Sequence, residues 1–543
     1  MTATYVSRAP VMTTGGLVCS TSPLAASIGV HVLADGGNAF DAAIATAAAE
    51  AVTVAPMCGF GGETFAIMYV ARSQKVVGLT STGPAPRAAT PAFFRAKGYA
   101  HMPSEGPLAA SPPGELNAYK YILANFGTRP LAKLLEPAIQ LAEEGFPLSP
   151  RVGRIFQGSM EKLAKFPSSV KVFLKRNGQP YGPGDLFANK ELARSLKRIA
   201  QAGTDDFYHG QLARDIAKAF RDAGGILDEE ALASQEVEVY DPISTTYRGY
   251  TVMENRPPSQ GMILLEMLNI LEGYDMASLG HLTQEGIHLM IEAKKLAFAD
   301  RNAYLGDPRK VSTPLDTLIS KEHAARRRAH INRARAAIAV SPEPLVPAGA
   351  DTSYFCVADR YGNVVSLIHS LYAGFGSGFV AEGTGIVFNN RQQGFRLQEG
   401  HPNTVAPGKR PMHTLNAYMM LKDGKPFLAS GTPGADFQVQ GNTQIITGIV
   451  DYGLGAQEAV DAPRWVDEPG SNPATLSQPF GVRLEPRAPE EVARGLERLG
   501  HTVGWGQEGI SHGIVQLIQL DHGRGIKIGA SDPRGDGHAA ATP

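Results

Sequence analysis

Thr352 stands where a threonine could act as a nucleophile. It opens a β-type run from Thr352 to Ala358 and follows a Pro- and Gly-containing stretch, 341–349, whose composition suits an exposed connection. A threonine hydroxyl is a weak nucleophile because it holds its proton tightly. If the chain is cut between Asp351 and Thr352, the freed α-amino group, with a pKa of about 8, can act as general base for the neighbouring hydroxyl. One residue would then supply both roles.

A single threonine does not identify a nucleophile, but the sequence around Thr352 does. The segment DTSYFCVADRYGNVVSLIHSLYAGFGSGFVAEGTGIVFNN (351–390) resembles, without gaps, the start of the small subunit of gamma-glutamyltranspeptidases. Further blocks follow the order of that family and include GGNAFDAAIA (36–45), PPSQGMILLEMLNILEGYD (257–275), EAKKLAFADRNAYLGDP (292–308), PGKRP (407–411) and GTPGADFQ (431–438). Because several blocks agree in order, a chance match is negligible. The chain is identified as a member of that family.

The resemblance implies an α+β fold, the four-layer αββα sandwich of N-terminal nucleophile hydrolases, which cut themselves into two chains that stay together. The large subunit would comprise residues 1–351, be rich in helix, and contribute one sheet and the outer helices. The small subunit would comprise residues 352–543, be rich in β-structure and begin with the nucleophile. Asp351 and Thr352 would then form the cleavage site.

The resemblance also implies three residues that assist Thr352 in catalysis. The second hydroxyl of the family, eighteen residues after the nucleophile, falls on Ser370, which either bonds the Thr352 amine or hydroxyl or is an ordinary strand serine. The oxyanion hole maps to the backbone N–H groups of Gly434 and Ala435. Alanine in place of the family's second glycine keeps the N–H, and we expect the function to survive if this residue is not left-handed.

Two charges that the family uses to bind γ-glutamyl groups are missing. Other members hold the substrate's α-carboxylate with an arginine and its α-ammonium with an aspartate, and these positions are Thr82 and Gly394 here. Because charge-assisted bonds to such groups are strong, a pocket without both should bind γ-glutamyl groups poorly. In addition, the stretch from Phe395 to Ala406 is shorter than the family's lid loop, which predicts a more open pocket.

Other changes suggest which residues contact the substrate, and the candidates are Tyr372, Arg391, Gln392, His413 and Thr414. Tyr372 and Arg391 replace an asparagine and a glutamine of the family, while His413 and Thr414 replace paired serines. Arg391 either binds a substrate carboxylate or pairs with a carboxylate of the protein. His413 either orients the substrate or fills a polar position in the core.

These observations favour an amide hydrolase or acylase that forms an acyl-enzyme on Thr352. Its acyl group would be non-glutamyl, for example a dicarboxylic monoamide such as oxamate or a cephalosporin-type side chain, and water would be the usual acceptor. One alternative is a true γ-glutamyl hydrolase or transpeptidase acting on glutathione, which Thr82 and Gly394 oppose. Another is a non-catalytic binding protein on the same fold, which the intact Thr352 and Ser370 oppose. We expect no cofactor and no metal.

Composition indicates which partners the chain has. With 51 basic and 52 acidic side chains, it carries no net charge that would draw it to nucleic acid or an anionic membrane. The expected partners are a small-molecule amide and the two chains of one precursor, and a homo-oligomer stays open. Cys19, Cys58 and Cys356 are too few and scattered for a disulfide framework or zinc site, so we expect buried thiols. The N-terminus resembles no signal peptide, and no apolar run reaches about eighteen residues, which predicts a cytoplasmic protein.

The local patterns change character at Thr352. Before it, two Ala-rich helical stretches within 20–55 surround the turn Gly36-Gly37-Asn38 and predict a helical hairpin packed on a sheet. Further helices are predicted within 131–202 and over 285–303, and the arginines of 324–340 suit a solvated helix face. Strands are predicted at 63–70, 76–79, 352–358, 364–370, 418–421, 427–429 and 514–519.

Overall fold

The computed structural model describes residues 8–341, 351–470, 478–506 and 513–543, with only the backbone of Asp351. Two antiparallel seven-stranded sheets form its centre. The first has the order Val11–Thr13, Ile526–Ser531, Gln516–Asp521, Lys425–Gly431, Tyr418–Lys422, Tyr250–Glu254, Ile243–Tyr247. The second has the order His538–Ala541, Leu17–Ser20, Asp351–Ala358, Val364–Tyr372, Glu63–Val70, Lys75–Thr80, Glu238–Tyr240.

Each sheet combines strands from before and after Thr352. In the second sheet, for example, the strand Asp351–Ala358 pairs with Leu17–Ser20 on one side and with Val364–Tyr372 on the other. Residues 1–351 therefore contribute to both sheets rather than supplying one of them. This follows from the antiparallel pairing, which places strands that are distant in sequence side by side.

Three apolar layers separate the sheets from each other and from the helices. Alternate residues of the strand Asp351–Ala358 point to opposite faces. Tyr354 and Cys356 belong to the layer between the two sheets. Phe355 and Val357 belong to the layer between the second sheet and its helices. A third layer, with Tyr418 and Met420, lies between the first sheet and its helices. The order is helix, sheet, sheet, helix, which confirms the predicted αββα sandwich.

The outer layers consist of helices of very different length. Those of the first half are Pro23–Ala34, Ala39–Thr53, Pro91–Ala96, Glu115–Phe126, Leu131–Glu144, Pro150–Gly158, Met160–Ala164, Pro167–Phe173, Lys190–Ala202, Asp205–Tyr208, Gln211–Asp222 and Glu229–Ala233. The others are Gly261–Leu271, Met276–Leu279, Gln284–Tyr304, Leu315–Leu318, Lys321–Arg328, Phe437–Val450, Ala456–Asp461 and Glu490–Arg498. Smaller sheets pair Phe146–Pro147 with Leu186–Phe187, Val380–Ala381 with Ile386–Val387, and Trp465–Glu468 with Gly481–Leu484 and Val503–Trp505.

The predicted helical hairpin is confirmed, and its turn has a local cause. The Asn38 side chain accepts hydrogen bonds from the backbone N–H groups of Phe40 and Asp41, while Asp41 accepts one from the Asn38 backbone. This reciprocal cap starts the second helix. The predicted solvated helix in the arginine-rich segment is shorter than expected, since the helix Lys321–Arg328 ends there. Residues 342–349 of the predicted connection lie outside the described residues.

The three cysteines are buried and free, as predicted. Cys19 and Cys356 are direct neighbours on adjacent strands of the second sheet. In the part of the chain that the structure describes, no helix has both the length and the apolar content to cross a membrane.

Candidate active site

A β-bulge positions Thr352 at the end of its strand. Asp351 pairs with Tyr372 and Ser353 pairs with His369, so the single residue Thr352 lies opposite both Ser370 and Leu371. Thr352 and Ser370 consequently face the layer between the two sheets, whereas Ser353 and His369 face the helices. Thr352 is completely buried in the continuous chain.

The hydroxyl of Thr352 contacts two side chains. Its Oγ1 lies 3.4 Å from the Ser370 Oγ, to which it donates, and 3.4 Å from the Nε2 of Gln438, from which it accepts. The Ser370 hydroxyl is itself oriented because it accepts a 2.8 Å hydrogen bond from the backbone N–H of Tyr372. The structure therefore brings Ser370 to Thr352, as expected for a supporting hydroxyl.

The predicted oxyanion turn precedes the helix Phe437–Val450. Gly434 has φ 122° and Ala435 has φ 52°, so the alanine is left-handed, contrary to the condition set from the sequence. A left-handed alanine costs about 1–2 kcal/mol, because its Cβ approaches the following carbonyl. The Gln260 Nε2 holds the Ala435 carbonyl at 3.0 Å. Within the described residues, neither N–H group of Gly434 or Ala435 donates a hydrogen bond, so both are available to an oxyanion.

Arg391 binds the carboxylate of Glu63, and His413 lies beside the same carboxylate. The Arg391 Nε donates to the Glu63 Oε1, and the His413 Nε2 lies 3.2 Å from that oxygen. The Tyr372 ring lies under the guanidinium, at 4.3 Å from its carbon. All four side chains are buried. Arg391 thus pairs with a carboxylate of the protein, as one of the two alternatives posed for it required, and within the described residues only its Nε takes part in this hydrogen bond.

The other two predicted binding residues lie differently. Gln392 donates a 2.9 Å hydrogen bond from its Nε2 to the Ala110 carbonyl, and no hydrogen bond among the described residues connects it to Thr352. Thr414 belongs to the network around the nucleophile through its carbonyl, which accepts from the side chains of Gln260 and Asn416. The contacts of Gln392 therefore favour substrate binding less than those of Thr414 do.

The nucleophile and its neighbours are closed off from solvent in the continuous chain, and a pocket more open than that of relatives with a longer lid loop stays a prediction. The exposed fraction of Thr352, Arg391 and His413 is 0%. Within the short stretch 395–406, the side chains of Phe395, Leu397 and Val405 pack against Ala85 and Phe94. The short stretch 395–406 is therefore held in place by apolar contacts with the residues around it.

Sequence reasoning missed Glu63 and Gln438. Glu63 looked like the first residue of an ordinary strand, and its role became visible only when the fold placed Arg391 beside it. Gln438 follows the oxyanion turn by one helical turn, so its spacing from Ala435 was the signal that could have revealed it.

A second polar cluster lies directly behind the nucleophile. The two ring nitrogens of His369 are 2.8 Å from carboxylate oxygens of Glu50 and Glu115. Ser353 donates a 2.7 Å hydrogen bond to the Glu50 Oε2, the same oxygen that lies beside the His369 ring. With Cys58, Glu50 and His369 have a donor set that could hold a metal ion. Because the carboxylates already occupy both ring nitrogens, the arrangement serves to connect the catalytic strands to the helices.

The charge states in the site differ from those in water. Burial alone would raise the pKa of Glu63, but the Arg391 guanidinium and His413 outweigh it and hold the pKa at about 2. Burial and the nearby Arg391 lower the pKa of His413 to about 4. At neutral pH the site therefore holds an ionised Glu63 and Arg391 beside a neutral imidazole.

Stability should depend on pH through His413. In the unfolded chain the His413 imidazole becomes protonated below about pH 6.5, whereas in the folded chain it stays neutral down to about pH 4. The free energy of unfolding should therefore fall as pH drops across this range. The lowering of the His413 pKa corresponds to a loss of about 3 kcal/mol in the free energy of unfolding. Urea unfolding should show a weaker pH dependence in His413→Gln, with both proteins in a Thr352→Ala background so that one chain unfolds. Identical pH profiles would show that His413 is not held neutral.

Comparison with known proteins identifies the family. A family model described as Gamma-glutamyltranspeptidase matches residues 25–542. The chain belongs to the gamma-glutamyltranspeptidase family. It is 37% identical over 532 residues to the glutathione hydrolase-like YwrD proenzyme of Bacillus subtilis (strain 168), covering 97% of this chain and 99% of that protein. It is 32% identical over 546 residues to the oxamate amidohydrolase proenzyme of Klebsiella pneumoniae subsp. pneumoniae, covering 97% and 99%.

A solved structure agrees with this assignment along the whole chain. The crystal structure of cephalosporin acylase from Bacillus halodurans matches with a TM-score of 0.91 and 34% identity, covering 100% of this chain and 98% of that chain. This member of the gamma-glutamyltranspeptidase family is therefore an N-terminal nucleophile hydrolase that acts as an amide hydrolase or acylase. Because its relatives are proenzymes, it is made as a precursor and processed into chains. The relatives give no support to a non-catalytic binding protein.

Proposed function

We propose that Thr352 hydrolyses amides whose acyl group carries a free carboxylate but no neighbouring ammonium, as in a dicarboxylic monoamide. The observation that carries this proposal is the guanidinium of Arg391. It is fully buried, and within the described residues its two terminal nitrogens have no hydrogen-bond partner. Unsatisfied donors in the interior are costly, and a carboxylate would satisfy both at once through parallel bonds.

Glu63 connects Arg391 to the position where the family places its own arginine. The Thr82 Oγ1 donates a 3.2 Å hydrogen bond to the Glu63 Oε2, while Arg391 binds the other oxygen of the same carboxylate. A positive charge thus returns to the neighbourhood of Thr82 from a different part of the chain. At Gly394, where the family has its aspartate, there is no side chain, and a Cβ built there would face the Met412 carbonyl and Pro411. The site thus offers unpaired guanidinium nitrogens to a carboxylate, whereas the carboxylate of Glu63 is already engaged by Arg391 and Thr82.

The route from Arg391 to the nucleophile is short. The Tyr372 ring packs on Arg391, the Tyr372 N–H binds Ser370, and the Ser370 hydroxyl contacts Thr352. A substrate carboxylate on Arg391 would therefore bring a nearby amide carbonyl towards Thr352.

The same hydroxyl would perform self-cleavage and catalysis. In self-cleavage, the Thr352 Oγ1 bonds to the Asp351 carbonyl carbon, the C–N bond breaks, and the hydroxyl proton ends on the new amine. Water then hydrolyses the ester and leaves a carboxyl on Asp351. In catalysis, the Thr352 amine takes the Oγ1 proton and passes it to the leaving amine, and water releases the acyl group as an acid. The N–H groups of Gly434 and Ala435 would bind the oxyanion.

One relative supports this choice of substrate, and another points to a second candidate. One of them is described as acting on oxamate, which is a monoamide of a dicarboxylic acid. The solved relative is described as a cephalosporin acylase, so a larger acyl group is the second candidate for this chain. A cytoplasmic location and a homo-oligomer remain predictions.

A matched pair of substrates tests the proposal. Glutaryl-p-nitroanilide differs from γ-glutamyl-p-nitroanilide only by lacking the α-ammonium. We expect kcat/KM to be about tenfold or more higher for the glutaryl compound, because an α-ammonium would lie near the Arg391 guanidinium and the family's aspartate is replaced by Gly394. A panel with oxamate, succinamate and neutral acyl amides would then locate the best substrate. Glutathione hydrolysis at the rate of the best amide would overturn the proposal.

Gly394→Asp provides a companion variant for this comparison. A Cβ at this position would lie 3.1 Å from the Met412 carbonyl oxygen, so the change needs a shift of a few tenths of an ångström. The variant should reduce the preference for the glutaryl compound, since an aspartate could pair with the ammonium. Thr82→Arg should not be combined with it, because a second guanidinium would adjoin Arg391. An unchanged preference would show that position 394 does not face the acyl group.

A further inference from the structure

Gln438 contacts the reacting atom of the proposed mechanism. It lies in the first turn of the helix Phe437–Val450, and its Nε2 donates to the Thr352 Oγ1 at 3.4 Å. Gln438 and Thr352 are both completely buried. The segment that supplies the oxyanion turn therefore also supplies a side-chain donor to the nucleophile.

The orientation of the Gln438 amide follows from its other partners. Its Oε1 accepts hydrogen bonds from the backbone N–H of Asn416 at 3.2 Å and from the Asn416 Nδ2 at 3.0 Å. A backbone N–H can only donate, so the oxygen of the amide must face Asn416 and its nitrogen must face Thr352. A flipped amide would place two donors against each other.

Asn416 is held in turn by further buried groups. Its Nδ2 also donates to the Thr414 carbonyl at 3.1 Å, and its Oδ1 accepts from the Asn442 Nδ2 at 3.0 Å. Asn416 and Asn442 are completely buried. The amides thus form a fixed relay from Asn442 through Asn416 and Gln438 to Thr352. Such a connected network rigidifies the donor that touches the nucleophile.

We propose that Gln438 is a catalytic residue that binds the Thr352 Oγ1 through its N–H before and during attack. With one lone pair of Oγ1 held by Gln438, the hydroxyl proton points to Ser370. As Oγ1 bonds to the carbonyl carbon and its proton moves to the Thr352 amine, the N–H stabilises the negative charge that develops on Oγ1. Gln438 itself neither gains nor loses a proton. This inference rests on Thr352 being the nucleophile.

Gln438→Glu distinguishes this role from a structural one. The substituted carboxylate keeps the shape but loses the donor, and its charge opposes the charge on Oγ1. At pH 8 we expect kcat to fall about 10- to 100-fold with little change in KM. As pH falls and the carboxyl becomes protonated, its O–H can donate in place of the N–H, so the deficit relative to wild type should narrow. A merely structural role would give a deficit that does not change with pH.

Two further variants complete the experiment. Gln438→Leu has no donor at any pH, so its deficit should stay constant. Gln444→Glu makes the same chemical change on the same helix, where the side chain binds the Trp465 carbonyl at 3.0 Å, and it should remain close to wild type. A variant that is cut too slowly for the amidase assay is compared by its rate of self-cleavage over the same pH series. The same Thr352 Oγ1 attacks in both reactions.

The outcomes separate this inference from the proposed function. Normal kcat in both Gln438 variants, or a Gln438→Glu deficit that is independent of pH, would overturn the role of Gln438. Neither result would affect the assignment of Thr352, which depends on the behaviour of Thr352→Ala. An active Thr352→Ala would instead refute the proposed function together with this inference.

Discussion

Thr352→Ala should yield a single uncut chain without measurable amidase activity. The hydroxyl is expected to attack both the preceding peptide bond and the substrate, so its loss removes both reactions. In nucleophilic hydrolases, removal of the nucleophile lowers kcat by about 10⁶-fold. A denaturing gel would show one band where the wild type shows two, and the amidase assay would fall to background. Thr352→Ser should still be cut, since it keeps a hydroxyl at the same place.

A matched threonine controls for the effect of substitution in the core. Thr443 is buried in the helix Phe437–Val450, and its hydroxyl bonds only groups outside the site, including the Val439 carbonyl at 2.8 Å. Thr443→Ala should be cut and remain active. If Thr352→Ala were cut normally, the nucleophile would have to be another residue.

Arg391→Gln should cause the second largest change, and a selective one. For amides with a free carboxylate on the acyl group, kcat/KM should fall about 10²- to 10³-fold, which corresponds to about 3–4 kcal/mol for losing a buried charge-assisted pair. For a neutral acyl amide of similar size the change should stay within about tenfold. Steady-state kinetics on the two substrates measure the difference directly.

Folding must be separated from binding in that experiment. Removing Arg391 alone leaves Glu63 ionised and unpaired in the interior, which destabilises a protein by about 3–5 kcal/mol. The double variant Glu63→Gln/Arg391→Gln removes both charges and should restore stability while keeping the selective loss. Equal losses on charged and neutral substrates would show that Arg391 supports the structure and does not bind the acyl group.

The sequence predicted the fold well because its signals are local or come from long motifs. Helical periodicity and turn residues predict the capped hairpin around Asn38 and the long helix Gln284–Tyr304. The αββα arrangement followed from the resemblance. The mixing of strands from both sides of Thr352 in each sheet could not be predicted, because strand order depends on contacts between distant segments.

The candidate site was predicted only in part, because some of its contacts join segments that are distant in sequence. Ser370 and the oxyanion turn were assigned through the resemblance to the family. The left-handed φ of Ala435 was missed because tertiary contacts, such as that with Gln260, decide it. The partnership of Arg391 with Glu63 joins residues 328 positions apart, so no local pattern contains it.

Under the proposed function, Arg391 would change the specificity of the site while the chemistry of Thr352 stays the same. Thr82 removes one cation, and Arg391 brings another to the same carboxylate of Glu63. Thr352 and Ser370 lie next to each other, as the resemblance to the family implies. A change of substrate of this kind would require substitutions only in the side chains that face the acyl group.

The N-terminal sequence of the smaller chain of the purified wild-type protein tests the central claim most directly. The account predicts that this chain begins Thr-Ser-Tyr-Phe, which places Thr352 with a free α-amino group at its start. A smaller chain that begins at any other residue, or a fully active protein that remains one chain, would contradict the assignment of Thr352 as the nucleophile.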